Sequence, residues 1–208
     1  MALYRLDKII SASTSLSRKE VKRLVKSGKI IVDGRPAAAA DAKYDPECVC
    51  ITVNGEAVSF QEKHYFMMNK PAGVVSSTAD EKEKTVLELL SEKEAALNLF
   101  PAGRLDKDAE GLLLLTDDGA FCHDVISPGK KVAKRYYVEV DQALTEEDAR
   151  AFQAGIELND FQCMPAQLDI IEEGKKNRAR VTICEGKYHQ VKRMFGARGK
   201  QVLYLKRT

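Results

Sequence analysis

The chain has 208 residues, of which 44% are hydrophobic and 31% charged, and its formal net charge is +2. This length allows one large or two small domains, and the composition is typical of an ordinary soluble protein. No apolar run approaches the roughly 20 residues of a membrane helix, and residues 1–5 do not form a signal-peptide core. We therefore predict a cytoplasmic protein with no membrane partner.

The charges are distributed unevenly along the chain. Residues 1–35 contain nine Lys and Arg against three Asp and Glu, and residues 174–208 contain eleven against one. The middle, residues 36–173, contains thirteen against twenty-seven. This pattern favours a polyanion bound through the two ends of the chain, although two solvated basic faces would produce the same counts.

The five cysteines are scattered, and none forms a Cys-x-x-Cys pair. Their odd number and spacing argue against a disulfide framework and against a tetrahedral metal site. We predict buried free thiols and no metal. Cys48 and Cys50 are expected to face the same way on a strand.

Residues 1–60 are predicted to form a small domain that begins with two helices. Leu3, Leu6, Ile9 and Ile10 recur at helical spacing. Ser17 and Glu20 have the spacing of a capping box, which opens a second helix that ends at Gly28. The apolar side of this helix contains Val21, Leu24 and Val25, and its other side contains Arg18, Lys19, Lys22, Arg23 and Lys26. Arg18 and Lys19 oppose the helix dipole, so something other than helix stability favours them there.

Two strand-and-turn units follow, at residues 29–34 and 48–55, and they end in Asp33-Gly34 and Asn54-Gly55. An early arginine, Arg5, a basic helix and a Val-Asp-Gly turn resemble the alpha-L RNA-binding domain of the ribosomal protein S4 type. The resemblance implies RNA binding. The basic helix suffices to contact phosphates, and base recognition is not indicated.

Residues 54–64 are interpreted as a polar linker, and residues 61–208 as a second domain. Its helices are predicted near residues 85–88, 120–126, 145–155 and 188–197. Its strands are predicted at residues 65–69, 112–115, 134–140, 167–172, 178–184 and 201–205, with a polar turn at residues 173–177. This alternation indicates an α+β fold around one extended, mostly antiparallel sheet.

Residues 101–119 are the most informative stretch of the chain. A charged loop between Gly103 and Gly111 runs into four consecutive leucines, which predict a strand buried on both faces. The glycines permit backbone angles that other residues disfavour, so Arg104 and Asp106 are expected on a bend. On these grounds alone, Asp106 would most often be a turn or cap residue.

The string Gly-Arg-Leu-Asp, a polar spacer, Gly, the leucines and Asp-Asp-Gly closely resembles the active-site motif of the RsuA family of pseudouridine synthases. Three further segments match the same family: residues 70–73, 133–136 and 185–195. The resemblance implies that Asp106 is catalytic, that Tyr136 covers the target base, and that Arg104 fills the vacated stack. Lys192 would be the basic partner of Asp106, and Arg193 the fallback and an RNA contact.

The resemblance also implies an isomerase that needs no cofactor and that acts on small-subunit ribosomal RNA. A carboxylate can begin this reaction as a nucleophile at the sugar or the ring, or as a base at the sugar. We expect a monomer that acts on free RNA or on an assembly intermediate with ribosomal proteins. Members of the family continue beyond the position of Thr208, so the C-terminal end is expected to be truncated.

The sequence leaves three alternatives open. The same chemistry could act on large-subunit ribosomal RNA, or the chain could be a non-catalytic RNA-binding assembly factor. The third is a metal-dependent phosphohydrolase that uses Asp106, Asp108, Asp117 and Asp118, since clustered carboxylates can hold a divalent ion.

Overall fold

The computed structural model describes residues 3–172 and 177–208, apart from the side chain of Glu172. The chain forms two compact units, residues 1–63 and residues 64–208, here called the N-terminal and the C-terminal unit. Each has its own hydrophobic core. Within the described ranges, no helix is both long and apolar enough to cross a bilayer.

The N-terminal unit combines two helices with short strands. In chain order its elements are β1 (Tyr4–Arg5), α1 (Leu6–Ser13), α2 (Arg18–Lys26), β2 (Ile30–Val32), β3 (Arg35–Pro36), β4 (Lys43–Tyr44), β5 (Ile51–Val53) and β6 (Glu56–Val58). Strands β3, β2, β5 and β6 form one antiparallel sheet, and β1 pairs with β4. Leu6, Ile9, Ile10 and Val21 from the helices pack against this unit's core.

The local signals in this unit act as expected. The capping box of Ser17 and Glu20 opens α2, and Gly28 follows its end with a φ of +68°. Asp33-Gly34 and Asn54-Gly55 all have positive φ, as the two-residue turns of tight hairpins require.

Three expectations for this unit were wrong. Leu3 lies before the first helix and is 62% exposed, because α1 begins only at Leu6. Cys48 and Cys50 precede β5 and are exposed, so they are not buried thiols on a strand. The supposed linker contains β6, since the Asn54-Gly55 turn folds the following residues back onto β5.

The C-terminal unit is built on one large sheet. Its elements are β7 (Tyr65–Lys70), α3 (Glu92–Ala95), β8 (Phe100–Pro101), β9 (Glu110–Thr116), α4 (Gly119–Ile126), β10 (Lys134–Val140), α5 (Glu146–Ala154), β11 (Gln167–Glu172), β12 (Asn177–Ile183), α6 (Gln190–Ala197) and β13 (Val202–Arg207). Short 3-10 turns span Leu87–Leu89 and Pro128–Lys130.

The sheet has the strand order β11-β12-β10-β13-β9-β7, and β8 also pairs with β9. Among the named strands of this sheet, β9 and β13 pair in parallel and the other neighbours are antiparallel. Leu113, Leu115 and Val138 lie on the buried face, and Phe152 and Phe195 from α5 and α6 pack in the same core. The predicted α+β class with a mostly antiparallel sheet is confirmed.

The leucine strand is not buried on both faces as predicted. Leu113 and Leu115 are fully buried, whereas Leu112 is 37% exposed and Leu114 is half-buried. Helix α6 begins at Gln190, two residues later than expected, because His189 adopts a left-handed conformation. The polar turn predicted at residues 173–177 lies outside the described residues, except for Asn177, which begins β12.

Candidate active site

Asp106 lies on the loop between β8 and β9. Both strands belong to the sheet, and the amide of Ala102 donates to the carbonyl of Leu114 over 2.8 Å, so the base of the loop is fixed. Gly103 and Gly111 have φ values of +96° and +102°, which confirms that the loop needs glycine angles. The side chain of Asp106 is 22% exposed, so it remains accessible to a ligand.

Lys70, at the end of β7, holds this loop from beneath. Its side chain is fully buried, and Nζ lies 2.8 to 3.2 Å from the carbonyl oxygens of Pro71, Asp106, Lys107 and Ala109. Burial lowers the pKa of Lys70, and nearby carboxylates oppose that effect. Residues 70–73 are one of the segments that carry the family resemblance, and the lysine of this segment holds the loop by binding its carbonyls.

A second contact fixes the loop from the segment that follows β7. The hydroxyl of Ser76, which is buried, donates to the carbonyl of Leu105 over 2.9 Å and accepts from its amide over 3.0 Å. The amide of Gly73 donates to the carbonyl of Lys107 over 2.7 Å. The backbone on both sides of Asp106 is therefore held by residues 70–76.

Lys192, on α6, supplies a positive charge to this loop. Its Nζ lies 3.2 Å from Oδ2 of Asp106 and 2.5 Å from Oδ1 of Asp108. Burial acts to lower the pKa of Lys192, but its hydrogen bonds with the two carboxylates outweigh burial and raise it. The hydrogen bond from Lys192 lowers the pKa of Asp108. The site thus holds a lysine ammonium shared between two carboxylates.

His189 was not predicted as a site residue, yet it lies beside Asp106. Its Nε2 is 3.6 Å from Oδ1 of Asp106, and its φ of +49° is unusual for a residue other than glycine. The position before α6 therefore turns an imidazole towards the carboxylate. No spacing rule would have indicated this, since it depends on a left-handed residue and a distant loop.

Tyr136 lies on β10 and is 94% buried, since only 6% of it is exposed. Burial raises the pKa of its phenol, and the positive charge of nearby Arg207 partly opposes the rise. Arg207 is opposite Tyr136 in the β10–β13 register, and its Nε donates to the carbonyl of Leu112. The structure thus adds Arg207 to the surroundings of Tyr136, which sequence reasoning described only as part of a basic end.

The two other arginines predicted near the site differ in their surroundings. Arg104 is exposed on the loop, two residues before Asp106. Arg193 is partly buried, forms an ion pair with Asp160 and lies over the ring of Phe161 at 5.2 Å. Its guanidinium is therefore engaged with residues other than Asp106, and the role of fallback partner does not fit this arrangement.

The basic residues predicted on α2 are all exposed. Arg18, Lys19, Lys22, Arg23 and Lys26 present their side chains to solvent along one short helix. Arg5 instead forms a two-pronged ion pair with Asp7, at 3.0 and 2.8 Å, although its side chain remains 47% exposed. The N-terminal unit therefore offers a concentrated positive surface on α2.

Asp117 and Asp118 have structural roles that leave little basis for a metal-bound phosphohydrolase site. Asp117 accepts from the amide of His64 and contacts its Nδ1, both at 2.8 Å. Asp118 caps α4 through the amides of Ala120 and Phe121. In residues 3–172 and 177–208, no three His, Cys, Asp or Glu side chains form a group suited to a metal ion.

Comparison with known proteins places this geometry in a family. Residues 64–197 match the family model of RNA pseudouridylate synthases, and residues 5–46 match the S4 domain. The chain belongs to the RNA pseudouridylate synthase family. The predicted enzyme class, an RNA isomerase, and the predicted N-terminal RNA-binding domain are thereby confirmed.

The most similar relatives include members with the RsuA name. The chain is 45% identical to the uncharacterised RNA pseudouridine synthase YtzG of Bacillus subtilis, over 98% of this chain and 86% of the relative. It is 40% identical to ribosomal small subunit pseudouridine synthase A of Yersinia pestis, with the same two coverages. A crystal structure of a pseudouridylate synthase covers 98% of this chain with a TM-score of 0.65 and 33% identity; this chain covers 86% of it.

Proposed function

We propose that this protein converts a uridine of small-subunit ribosomal RNA to pseudouridine, with Asp106 as the reacting carboxylate. The relatives named ribosomal small subunit pseudouridine synthase A support the choice of RNA. The single observation that carries the role of Asp106 is its position 3.2 Å from the ammonium of Lys192, on a loop fixed by the buried Lys70.

The reaction breaks the bond between ribose and a ring nitrogen, turns the uracil and joins the ribose to a ring carbon; that carbon loses its proton, and the freed nitrogen gains one. Its atoms and electrons balance within the nucleotide, so no oxidant or energy source is consumed. Asp106 begins it as a nucleophile at the sugar or at the ring, or as a base at the sugar. In each case the carboxylate acts as an anion, and the ammonium of Lys192 supplies the neighbouring positive charge 3.2 Å from its Oδ2.

The target base must leave its stack, because neither the glycosidic bond nor the ring face is accessible inside folded RNA. We assign Tyr136 to the flipped base. Tyr136 lies on β10 opposite Arg207 of β13, and both strands belong to the large sheet. We assign the exposed guanidinium of Arg104 to the gap that the base leaves, since a planar cation can stack on the remaining bases.

Binding of the RNA backbone is assigned to the basic residues of the chain. The exposed side chains on α2 are suited to phosphate contacts, whereas Arg5 and Arg193 already have carboxylate partners and contribute less. We propose that the protein acts as a monomer in the cytoplasm, on free RNA or on an assembly intermediate with ribosomal proteins.

The test is a pseudouridine map of small- and large-subunit ribosomal RNA from cells that lack the protein. The cells are complemented with the wild type or with Asp106→Asn, which removes the charge and keeps the shape. We expect one small-subunit site to disappear, the wild type to restore it and Asp106→Asn to fail. RNA affinity of the purified variant should stay within about twofold of the wild type, because the change removes no phosphate contact.

Other outcomes assign the alternatives. If a pseudouridine disappears from large-subunit ribosomal RNA instead, that RNA is the substrate and the proposed reaction is unchanged. If no site changes while ribosome assembly is impaired, the protein acts as an RNA-binding assembly factor. A variant that loses RNA binding together with turnover would contradict a purely chemical role for Asp106.

A further inference from the structure

Two aromatic rings form a flat stack beside Asp106. The rings of Tyr188 and His189 have centroids 3.9 Å apart and an interplanar angle of 17°. His189 lies next to the carboxylate of Asp106, with its Nε2 3.6 Å from Oδ1. Tyr188 is 77% exposed. The stack therefore begins beside the reacting carboxylate and ends in solvent.

The turn that carries these rings is fixed by a buried hydrogen-bond network. Nε2 of Gln190 donates to Oε1 of Glu185 over 2.6 Å, and Oε1 of Gln190 accepts from the amide of Lys187 over 2.9 Å. Oε1 of Glu185 also accepts from the amide of Met164 over 2.7 Å. Both Glu185 and Gln190 are buried. The exposed ring therefore stands on a rigid support, not on a freely moving surface chain.

The backbone at His189 strengthens this point. A φ of +49° in a residue other than glycine is strained, and such strain persists only where the surroundings impose it. It clusters at sites that bind ligands. Here the left-handed turn brings the imidazole to Asp106 and places the phenol ring of Tyr188 parallel to it.

We propose that Tyr188 and His189 form a stacking platform for a nucleobase adjacent to the flipped target uridine. Exposed, rigid aromatic rings are the surfaces on which proteins stack unpaired bases, because every base has an aromatic face. The buried Tyr136 is assigned to the target base, so Tyr188 takes a different base. This inference rests on the proposed function, in that it requires RNA as substrate.

The first experiment compares Tyr188→Ala and Tyr188→Phe with the wild type on a small-subunit ribosomal RNA transcript. Loss of one stacked base should raise KM about tenfold in Tyr188→Ala while kcat changes by less than about twofold. Tyr188→Phe keeps the ring face and should match the wild type. Met67→Ala, at an 81% exposed apolar position on β7, is the matched surface control and should have no effect.

The second experiment identifies the base. Abasic nucleotides are placed singly at the positions that flank the target uridine, and each RNA is tested with wild type and Tyr188→Ala. At one position the missing base should raise the KM of the wild type about tenfold. The same RNA should leave the KM of Tyr188→Ala unchanged, because that variant has already lost the contact. The proposal would be overturned if, at every position, the abasic nucleotide raised the KM of Tyr188→Ala as much as that of the wild type. It would also be overturned if Tyr188→Phe had a KM as high as that of Tyr188→Ala.

A binding measurement separates this proposal from the proposed function. The dissociation constant of a short oligouridylate is measured for wild type and Tyr188→Ala, independently of turnover. If the wild type forms no pseudouridine in any ribosomal RNA, the proposed function fails, and weaker oligouridylate binding by Tyr188→Ala still supports the platform. Equal affinities would reject the platform whether or not the enzyme is active.

Discussion

At the scale of single residues, Lys70 contributes both to the stability of the fold and to the position of the loop that carries Asp106. Its ammonium group is removed from water and surrounded by backbone carbonyls, three of which belong to the loop of Asp106. A carbonyl that loses such a partner in the interior is left unsatisfied. The position of Asp106 thus depends on a lysine that binds its backbone carbonyl.

Lys70→Met should therefore lower both stability and turnover. We expect a loss of about 3 kcal/mol in the free energy of unfolding, because charge-assisted hydrogen bonds are broken and their acceptors stay buried. A displaced loop should reduce kcat by roughly 100-fold. Denaturant unfolding and steady-state kinetics measure the two effects. Lys107→Met is the control, since Lys107 is half-exposed and pairs with Glu83, and its change should stay within about 0.5 kcal/mol. Equal stabilities of Lys70→Met and wild type would contradict this role.

The choice between Lys192 and Arg193 shows how far the sequence predicts the partner of Asp106. The family resemblance placed the basic partner at Lys192 with Arg193 as fallback. Consecutive helical residues point about 100° apart, so both cannot face the same carboxylate. The structure brings Lys192 to Asp106 and Asp108, and Arg193 to Asp160. The contacts of Asp108 and His189 were beyond reach, because they depend on tertiary packing and not on spacing.

At the scale of elements, strands and caps were the most predictable features. The capping box before α2, the start of α5 and the strand Lys134–Val140 have the expected positions, because each is determined by local spacing. The prediction that the leucine strand is buried on both faces was wrong. Four adjacent leucines show no alternation of apolar and polar residues, so the sequence does not indicate which face meets solvent. Only the strand's place in an antiparallel sheet decides that Leu112 faces outward.

The parallel pairing of β9 with β13 requires a glycine at position 111, which lies opposite Arg207. Gly111 has a φ of +102°, and a Cβ there would lie 2.0 Å from the carbonyl oxygen of Arg207. Gly111→Ala should cost about 3 kcal/mol or more, because it adds a strained φ to a clash with backbone. Gly119→Ala is the control, since a Cβ at Gly119 would meet nothing within 4 Å, and its effect should stay within about 0.5 kcal/mol. Thermal unfolding of the two variants checks the difference, and similar melting temperatures would contradict it.

Helix α5 is fastened to the chain between α6 and β13 through Asp148. Its carboxylate accepts from the Thr145 cap, Arg198 and Lys200. Burial opposes ionisation, but these hydrogen bonds together lower the pKa of Asp148 to about 2 from 3.8. A carboxyl whose pKa is lower in the folded state contributes stability above the unfolded pKa. That contribution is lost as the pH falls through the folded value.

Asp148→Asn should therefore cost about 2 kcal/mol at pH 7. The difference from wild type should shrink between about pH 4 and pH 2, where the wild-type carboxyl becomes protonated. Denaturant unfolding across this pH range measures it. Glu147→Gln is the matched control, because Glu147 also pairs with Arg198 but is 74% exposed. It should change stability by less than about 0.5 kcal/mol. A constant difference for Asp148→Asn across the range would contradict the assignment to this carboxyl.

At the scale of the whole molecule, charge distribution and motif order indicated an RNA-modifying enzyme. The uneven charge could not specify which basic residues are available, because that depends on ion pairs between distant residues. Arg5 and Arg193 have carboxylate partners, whereas the cations of α2 are exposed. The predicted linker at residues 54–64 was misjudged for a similar reason, since β6 gains its structure only by pairing with β5.

This difference leads to a prediction about RNA binding. Arg18, Lys22 and Arg23 are changed together to Gln, which keeps helix propensity and removes three charges. Each phosphate contact releases counterions, so the plot of log affinity against log salt should become shallower by about two to three. Filter binding of a ribosomal RNA transcript at several salt concentrations measures the slope.

A control must remove the same charge elsewhere, because a less positive protein binds any polyanion more weakly. Lys82, Lys84 and Lys93 are exposed in the acidic middle of the chain and are changed to Gln together. If α2 contacts phosphates directly, the slope of log affinity against log salt becomes shallower in the α2 variant and stays the same in the control. Charges more than about 10 Å from the RNA are screened at 0.1 M salt. Equal losses in both variants would mean that net charge alone governs binding. An unchanged slope for the α2 variant would exclude α2 from the RNA interface.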